Sequence, residues 1–186
     1  PCSLSVAIAI ATAGRREVLR ETLAHLELQN RKPDQLLVCP ASEDDLDVGH
    51  FESLNLKTQI VWGERGLPAQ RNALIAASNA DIMVFIDDDF LLSPDFLTET
   101  ERLFRENADV VVATGCVLAD GIMTEGLVHD EGVRILAEAG PNHGGSPIDT
   151  YNAYGCNMIV RLEPVRRNEL RFDESLPLYA WQEDVD

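Results

Sequence analysis

The sequence predicts an α/β protein built on an open, mixed, mostly parallel sheet with helices on both faces. Three observations predict it. Short, uniformly apolar runs alternate with amphipathic helical stretches over the first two thirds of the chain, which is how strands buried on both faces read. The 186 residues, 45% hydrophobic and 25% charged, suffice for one domain with a full core. Polar or reactive residues, Thr12, Cys39 and Asp87, stand at the carboxyl ends of apolar runs, where such sheets bind ligands.

The elements follow in order. Ser5 to Ala11 reads as a buried strand. Arg16 to Leu28 reads as an amphipathic helix with Val18, Leu19, Thr22, Leu23 and Leu26 on one face. Asn30 to Pro33 breaks it, and Gln35 to Cys39 is a second strand. Glu43 to Asp47 reads as a solvated acidic loop, and Thr58 to Trp62 as a third strand. Pro68 to Ser78 is a helix whose proline sits near the first turn, where its missing N–H is harmless. Asp81 to Ile86 is the fourth strand. Ser93 is placed to cap the next helix, with Pro94 following and Asp95 favourable at its positive end. Phe96, Leu97, Thr100, Leu103 and Phe104 form that helix's apolar face. Val110 to Val117 is a strand. Asp120 to Ile148 is rich in glycine and polar residues and reads as a long connection, either a functional loop or partly disordered. Strands return within Tyr151 to Arg161.

Net charge is -17, from 32 acidic and 15 basic residues. This argues against a nucleic-acid partner, which would need a clustered basic face. No apolar stretch approaches the ~18 residues of a membrane span. The run Leu4 to Ala11 lacks a basic leader and reads as a strand, not a signal peptide. Cys2, Cys39, Cys116 and Cys156 match no zinc spacing and read as free, buried thiols of a cytoplasmic protein.

The most informative segment is Asp87-Asp88-Asp89, at the end of Ile82 to Ile86. Carboxylates crowded at a strand's end repel one another until a cation arrives. In an extended turn Asp87 and Asp89 point the same way and Asp88 elsewhere. Phosphatases with an Asp-x-Asp pair and response-regulator receivers also crowd aspartates there, but need a downstream lysine. The only lysines are Lys32 and Lys57, both upstream. Gly66 and Arg71, with Asn72, offer a glycine turn and a helix start able to cradle a diphosphate, a capped surface helix being the competing reading. Glu183-Asp184, after Trp181, could supply a general base, an exposed acidic helix start being the competing reading.

Together these segments resemble family 2 glycosyltransferases of the GT-A fold. Val6 to Thr12 with Arg15 and Arg16 resembles the family's opening strand and nucleotide loop. Gly66-Leu67-Pro68-Ala69-Gln70-Arg71-Asn72 is similar to the segment before the metal-site strand. Phe85 to Pro94 resembles the DxD strand and helix. Gly155 to Arg161 resembles the segment lining donor sugar and acceptor. Phe172-Asp173-Glu174 and Trp181 to Asp186 resemble the closing acceptor motif with its ED pair. Two departures stand out. Val38-Cys39-Pro40 replaces the aspartate that the family often carries to contact the nucleotide base. The chain also ends at Asp186, where the family continues, so a longer protein is expected.

The resemblance implies transfer of a sugar from a nucleotide-diphosphate sugar to an acceptor hydroxyl, with inversion. Asp184 would be the base, with Glu183 beside it. Asp89, with Asp87, would hold Mg²⁺ or Mn²⁺. Thr12, Arg15, Arg16, Gly66, Arg71, Asn72, Asp87 and Asp88 would bind the donor. Gly155, Asn157 and Trp181 would face an acceptor that is a glycan, a lipid-linked sugar or a small molecule. Residues 1–118 would form the nucleotide-binding part and 119–186 the acceptor-side part of one domain. Peripheral membrane association of the full-length protein stays open. A nucleotide-sugar-binding module without turnover is one alternative. A sugar-1-phosphate nucleotidyltransferase is a weaker one, because Ala11 to Arg16 lacks that class's glycine-rich loop and lysine.

Overall fold

The computed structural model describes residues 3–121, 126–140 and 146–176. Six strands form one sheet in the order β3-β2-β1-β4-β6-β5. They are β1 (Val6–Thr12), β2 (Gln35–Pro40), β3 (Thr58–Ile60), β4 (Ile82–Ile86), β5 (Val112–Thr114) and β6 (Asn157–Arg161). β1 runs parallel to β2 and β4, and β2 parallel to β3. β6 is antiparallel to both β4 and β5. The first amino acids of β6 therefore lie level with the last of β4, Asn157 opposite Ile86.

Side chains alternate across the central strands. Val6, Ile8 and Ile10 join Leu36, Val38 and Val84 in one core layer. This layer is covered by α1 (Arg16–Leu26) through Leu19, Leu23 and Leu26, and by α4 (Phe96–Glu106) through Leu97 and Phe104. Ala7, Ala9, Leu37, Met83 and Phe85 face the other way. There they meet Leu74 of α3 (Leu67–Ala77) and Leu162 and Val165 of α6 (Leu162–Arg167). Both faces are closed, so the strands read as unbroken apolar runs. Each fully buried large side chain here contributes about 1.5–3 kcal/mol.

The structure corrects several sequence expectations. A helix, α5 (His129–Ala139), occurs where a long loop is expected, and another, α2 (Val48–Ser53), fills a stretch to which no element is assigned. α2 is capped by Asp47, whose side chain accepts from the His50 N–H at 3.1 Å. The acidic run before it is not wholly solvated, because Asp45 is buried. Val18 lies on the exposed side of α1. Of Tyr151 to Arg161 only the last five residues are strand.

Ser93 is not the side-chain cap of α4. That helix starts at Phe96, whose N–H bonds to the Ser93 carbonyl at 3.0 Å, and the next N–H is served by Gln29, just beyond α1. Gln29 Oε1 accepts from Leu97 N at 3.2 Å while its Nε2 donates to Ser93 O at 2.7 Å. One buried amide therefore satisfies both sides of the turn, and a serine cap becomes redundant. Cys39 is buried and Cys156 half-buried, but Cys116 is exposed. No helix among the described residues is long and apolar enough to cross a membrane.

Candidate active site

The carboxyl ends of β1, β2 and β4 converge, and the loops that leave them build the site. Thr12 closes β1, with its hydroxyl turned toward β4. Its Oγ1 donates to Asp88 Oδ2 at 2.7 Å, and both residues are buried. Arg15 reaches from the following loop. Its Nη2 meets Asp88 Oδ1 at 2.6 Å and also pairs with Asp89 Oδ2. Asp88 thus turns inward and divides its oxygens between a hydroxyl and a guanidinium. Burial pushes its carboxyl up, Thr12 and Arg15 oppose that, and the charges of Asp89 and Asp87 add to it.

Asp89 is exposed and Asp87 half-buried. Asp87 N approaches Cys156 O at 3.4 Å, which ties the triplet to the loop entering β6. Phe90 N bonds back to Asp87 O at 3.1 Å and closes a tight turn. The segment beyond is held by α1 and the loop after it, because His25 Nε2 lies 3.0 Å from Leu92 O and Asn30 N donates to Pro94 O at 2.7 Å. Burial, and then the charge of Asp87, push the Cys156 thiol up to about 11, which favours the protonated form near neutral pH.

Two residues given no role in the sequence reading tie the ends of β1 and β2 together. Gln70 is buried in the first turns of α3, and its Nε2 donates to Thr12 O at 3.1 Å and to Cys39 O at 2.6 Å. It locks the ends of β1 and β2 together. Asp45 Oδ1 accepts from Gly14 N at 2.7 Å. Gly14 takes φ +71, a left-handed turn that favours glycine, and this turn carries Arg15 to the aspartates. No pattern in the acidic run distinguishes Asp45 from its solvated neighbours.

The remaining candidates are dispersed. Arg16 starts α1 and is exposed, and its charge acts on Asp47. Gly66, at φ 138, is the residue that precedes and caps α3. Arg71 is buried, its guanidinium over Phe85 at 5.7 Å and Phe172 at 5.4 Å, and it donates to Gly155 O at 3.0 Å. Asn72 bonds to Phe172 and Glu174. Asn157 is buried, with Oδ1 accepting from Thr114 at 2.5 Å and Nδ2 donating to Gly115 O at 3.3 Å. Trp181, Glu183 and Asp184 lie outside the described residues.

Among the described residues no three His, Cys, Asp or Glu side chains converge into a metal cage. The donor set still fits a hard divalent ion that takes one or two carboxylates and completes its shell with substrate phosphates. Asp89 presents an oxygen at the surface that already attracts a cation, the Arg15 guanidinium.

The model of glycosyl transferase family 2 matches residues 7–161, and the chain belongs to that family. Similar solved structures share the GT-A fold. S. aureus TarS 1-349 aligns with a TM-score of 0.68 at 17% identity, over 98% of this chain and 53% of its own. The same protein in complex with UDP-GlcNAc gives 0.67 at 15%, over 98% and 51%. The mannosyltransferase PcManGT from Pyrobaculum calidifontis, in complex with GDP-Man and Mn2+, gives 0.65 at 16%, over 98% and 51%. The chain spans about half the length of these structures. No curated protein sequence matches it.

Proposed function

We propose that the protein transfers a sugar from a nucleotide-diphosphate sugar to an acceptor hydroxyl, with inversion at the anomeric carbon. The observation that carries this reading is the joining of the β1 loop to the aspartate turn of β4 through Thr12, Arg15 and Asp88. It juxtaposes a loop, an arginine and the carboxylates of Asp87 to Asp89, the last of them exposed, at the carboxyl ends of parallel strands, the position where such sheets hold nucleotides. The relatives in complex with UDP-GlcNAc and with GDP-Man support the same donor class.

In this reading residues 1–118 bind the nucleotide and residues 119–186 face the acceptor. Thr12, Arg15, Gly66 and Asp88 shape the nucleotide loop, and Asp87 reaches the ribose or the ion. Asp89, with Asp87, would hold Mg²⁺ or Mn²⁺. A bound ion would neutralise the charge that builds on the departing diphosphate. Arg15 stands within reach of the same charge. Gly155 and Asn157 form the wall beside β4, with Asn157 fixing the wall through its bonds to β5. Asp184 takes the acceptor's proton as its oxygen attacks in line, with Glu183 the next candidate and Trp181 beside them. The acceptor is a glycan, a lipid-linked sugar or a small molecule, and the setting is the cytoplasm.

The test is calorimetric titration of UDP and GDP into the full-length protein with and without Mn²⁺, followed by a panel of nucleotide sugars. Metal-strengthened binding of one nucleotide and turnover of its sugar are expected. Equal affinity with and without Mn²⁺ would remove the metal role, and no binding of either nucleotide would remove the donor assignment.

A further inference from the structure

Three consecutive residues of α3 serve two different sides of the site. Gln70 turns to the ends of β1 and β2. Arg71 and Asn72 turn the other way. Asn72 Nδ2 donates to Phe172 O at 2.9 Å and to Glu174 Oε1 at 2.7 Å, while its Oδ1 accepts from Phe172 N at 2.9 Å. One amide side chain thus pairs with both backbone groups of Phe172, as a neighbouring strand would. Arg71 stacks on the Phe172 ring, which also meets Phe85 edge-on with centroids 5.8 Å apart. Arg71 also holds Gly155 O, one residue before the carbonyl that meets Asp87 N.

The location decides what this clamp does. The β1 loop flanks the aspartate turn on one side. β6 lies beyond β4 on the side away from β1, and the 153–156 loop enters it there. With the nucleotide over β1, β2 and β4, whatever stands on the β6 side faces the sugar and the incoming hydroxyl. Resting on the glycosyltransferase reading above, we propose that Asn72, backed by Arg71, is a positioning residue for the acceptor wall and makes no contact with the donor nucleotide. It fixes Phe172 to Glu174 against α3, and this sets the wall's distance from the aspartates.

The test compares the full-length protein with Asn72→Asp, which keeps the acceptor for Phe172 N but loses both donated bonds and adds charge repulsion with Glu174. UDP and GDP binding with Mn²⁺ is measured by calorimetry. Turnover is followed with UDP-GlcNAc and GDP-mannose, using p-nitrophenyl glycosides as acceptors, and hydrogen exchange reports the Phe172 amide. Asn72→Asp should lower glycoside-dependent turnover about tenfold, speed exchange at Phe172 and leave nucleotide affinity within about twofold. Adding Glu174→Gln, whose amide can donate to the new carboxylate, should recover part of the loss. Should Asn72→Asp fail to fold, Glu174→Ala at the exposed end of the clamp is expected to raise the glycoside KM with nucleotide affinity unchanged. Nucleotide affinity that falls in step with turnover, or a double variant with no recovery, would overturn the positioning role and leave the glycosyltransferase reading intact. A wild-type protein that binds neither nucleotide would overturn both.

Discussion

Thr12, at the end of β1, and Asp88, in the turn after the neighbouring β4, are joined by a buried 2.7 Å hydrogen bond although they lie 76 residues apart in the chain. The bond fixes the middle aspartate inward and leaves its two neighbours at the surface or half-buried. Thr12→Val keeps the shape and removes the only hydroxyl donor to Asp88 Oδ2 among the described contacts. Leaving that oxygen buried without its donor should lower stability by about 1–3 kcal/mol, read from urea melts. Unchanged stability would show that the bond does not hold the turn.

Arg15 supplies positive charge to Asp88 and Asp89 at once. In the proposed enzyme Arg15→Gln should weaken UDP or GDP binding by about tenfold or more, the scale of one charge-assisted hydrogen bond. Calorimetry at fixed Mn²⁺ reads it. Affinity equal to wild type would place Arg15 outside the nucleotide site.

The two acidic clusters should separate in kinetics. Asp89→Ala is expected to abolish the gain in nucleotide affinity that Mn²⁺ confers. Asp184→Asn should lower turnover by about 10²–10⁴-fold, the usual worth of a general base, with nucleotide affinity preserved. Wild-type turnover in Asp184→Asn would move the base to Glu183.

Gly66 has φ 138 and ψ 135 at the start of α3, a region closed to side chains by their Cβ. Gly66→Ala should lower stability by about 1–3 kcal/mol, measured by denaturant unfolding. It should also shift Gln70, because Gly66 O accepts from Gln70 N at 2.9 Å. A variant as stable as wild type would show that the turn relaxes without strain.

Below neutral pH His25 should weaken the fold. Burial lowers its imidazole below the ordinary 6.5, opposed by its bond to Leu92 O and aided by nearby His129. The folded state therefore binds this proton less readily than the unfolded chain. The stabilisation is full above pH 6.5 and is lost as pH falls toward the lowered folded value. The loss is at most ~1.4 kcal/mol per pH unit for one proton. His25→Gln, which keeps a donor for Leu92 O, should flatten that part of the stability profile between pH 7.5 and 5.5, values chosen to lie about one unit either side of the ordinary imidazole pKa. An equally steep profile in the variant would assign the effect to another group.

Much of this protein was legible in its sequence. Strands buried on both faces must be apolar throughout, so β1, β2 and β4 stood out as runs, and the aspartates were marked by their place at the end of one. The phase of α4 was legible for a similar reason, since Leu97, Thr100 and Phe104 recur at helical spacing. Short-range periodicity carries that information because each element needs an apolar face whatever it packs against. Tertiary structure alone decided the rest. It placed β6 between β4 and β5, buried Asp45 under Gly14, and replaced the Ser93 cap by Gln29. It also turned Gln70 to the ends of β1 and β2 and Asn72 to a segment 100 residues away. A polar side chain can satisfy its hydrogen bonds with many partners or with water. Which partner it takes depends on elements brought beside it from distant parts of the chain, and no local pattern records that choice.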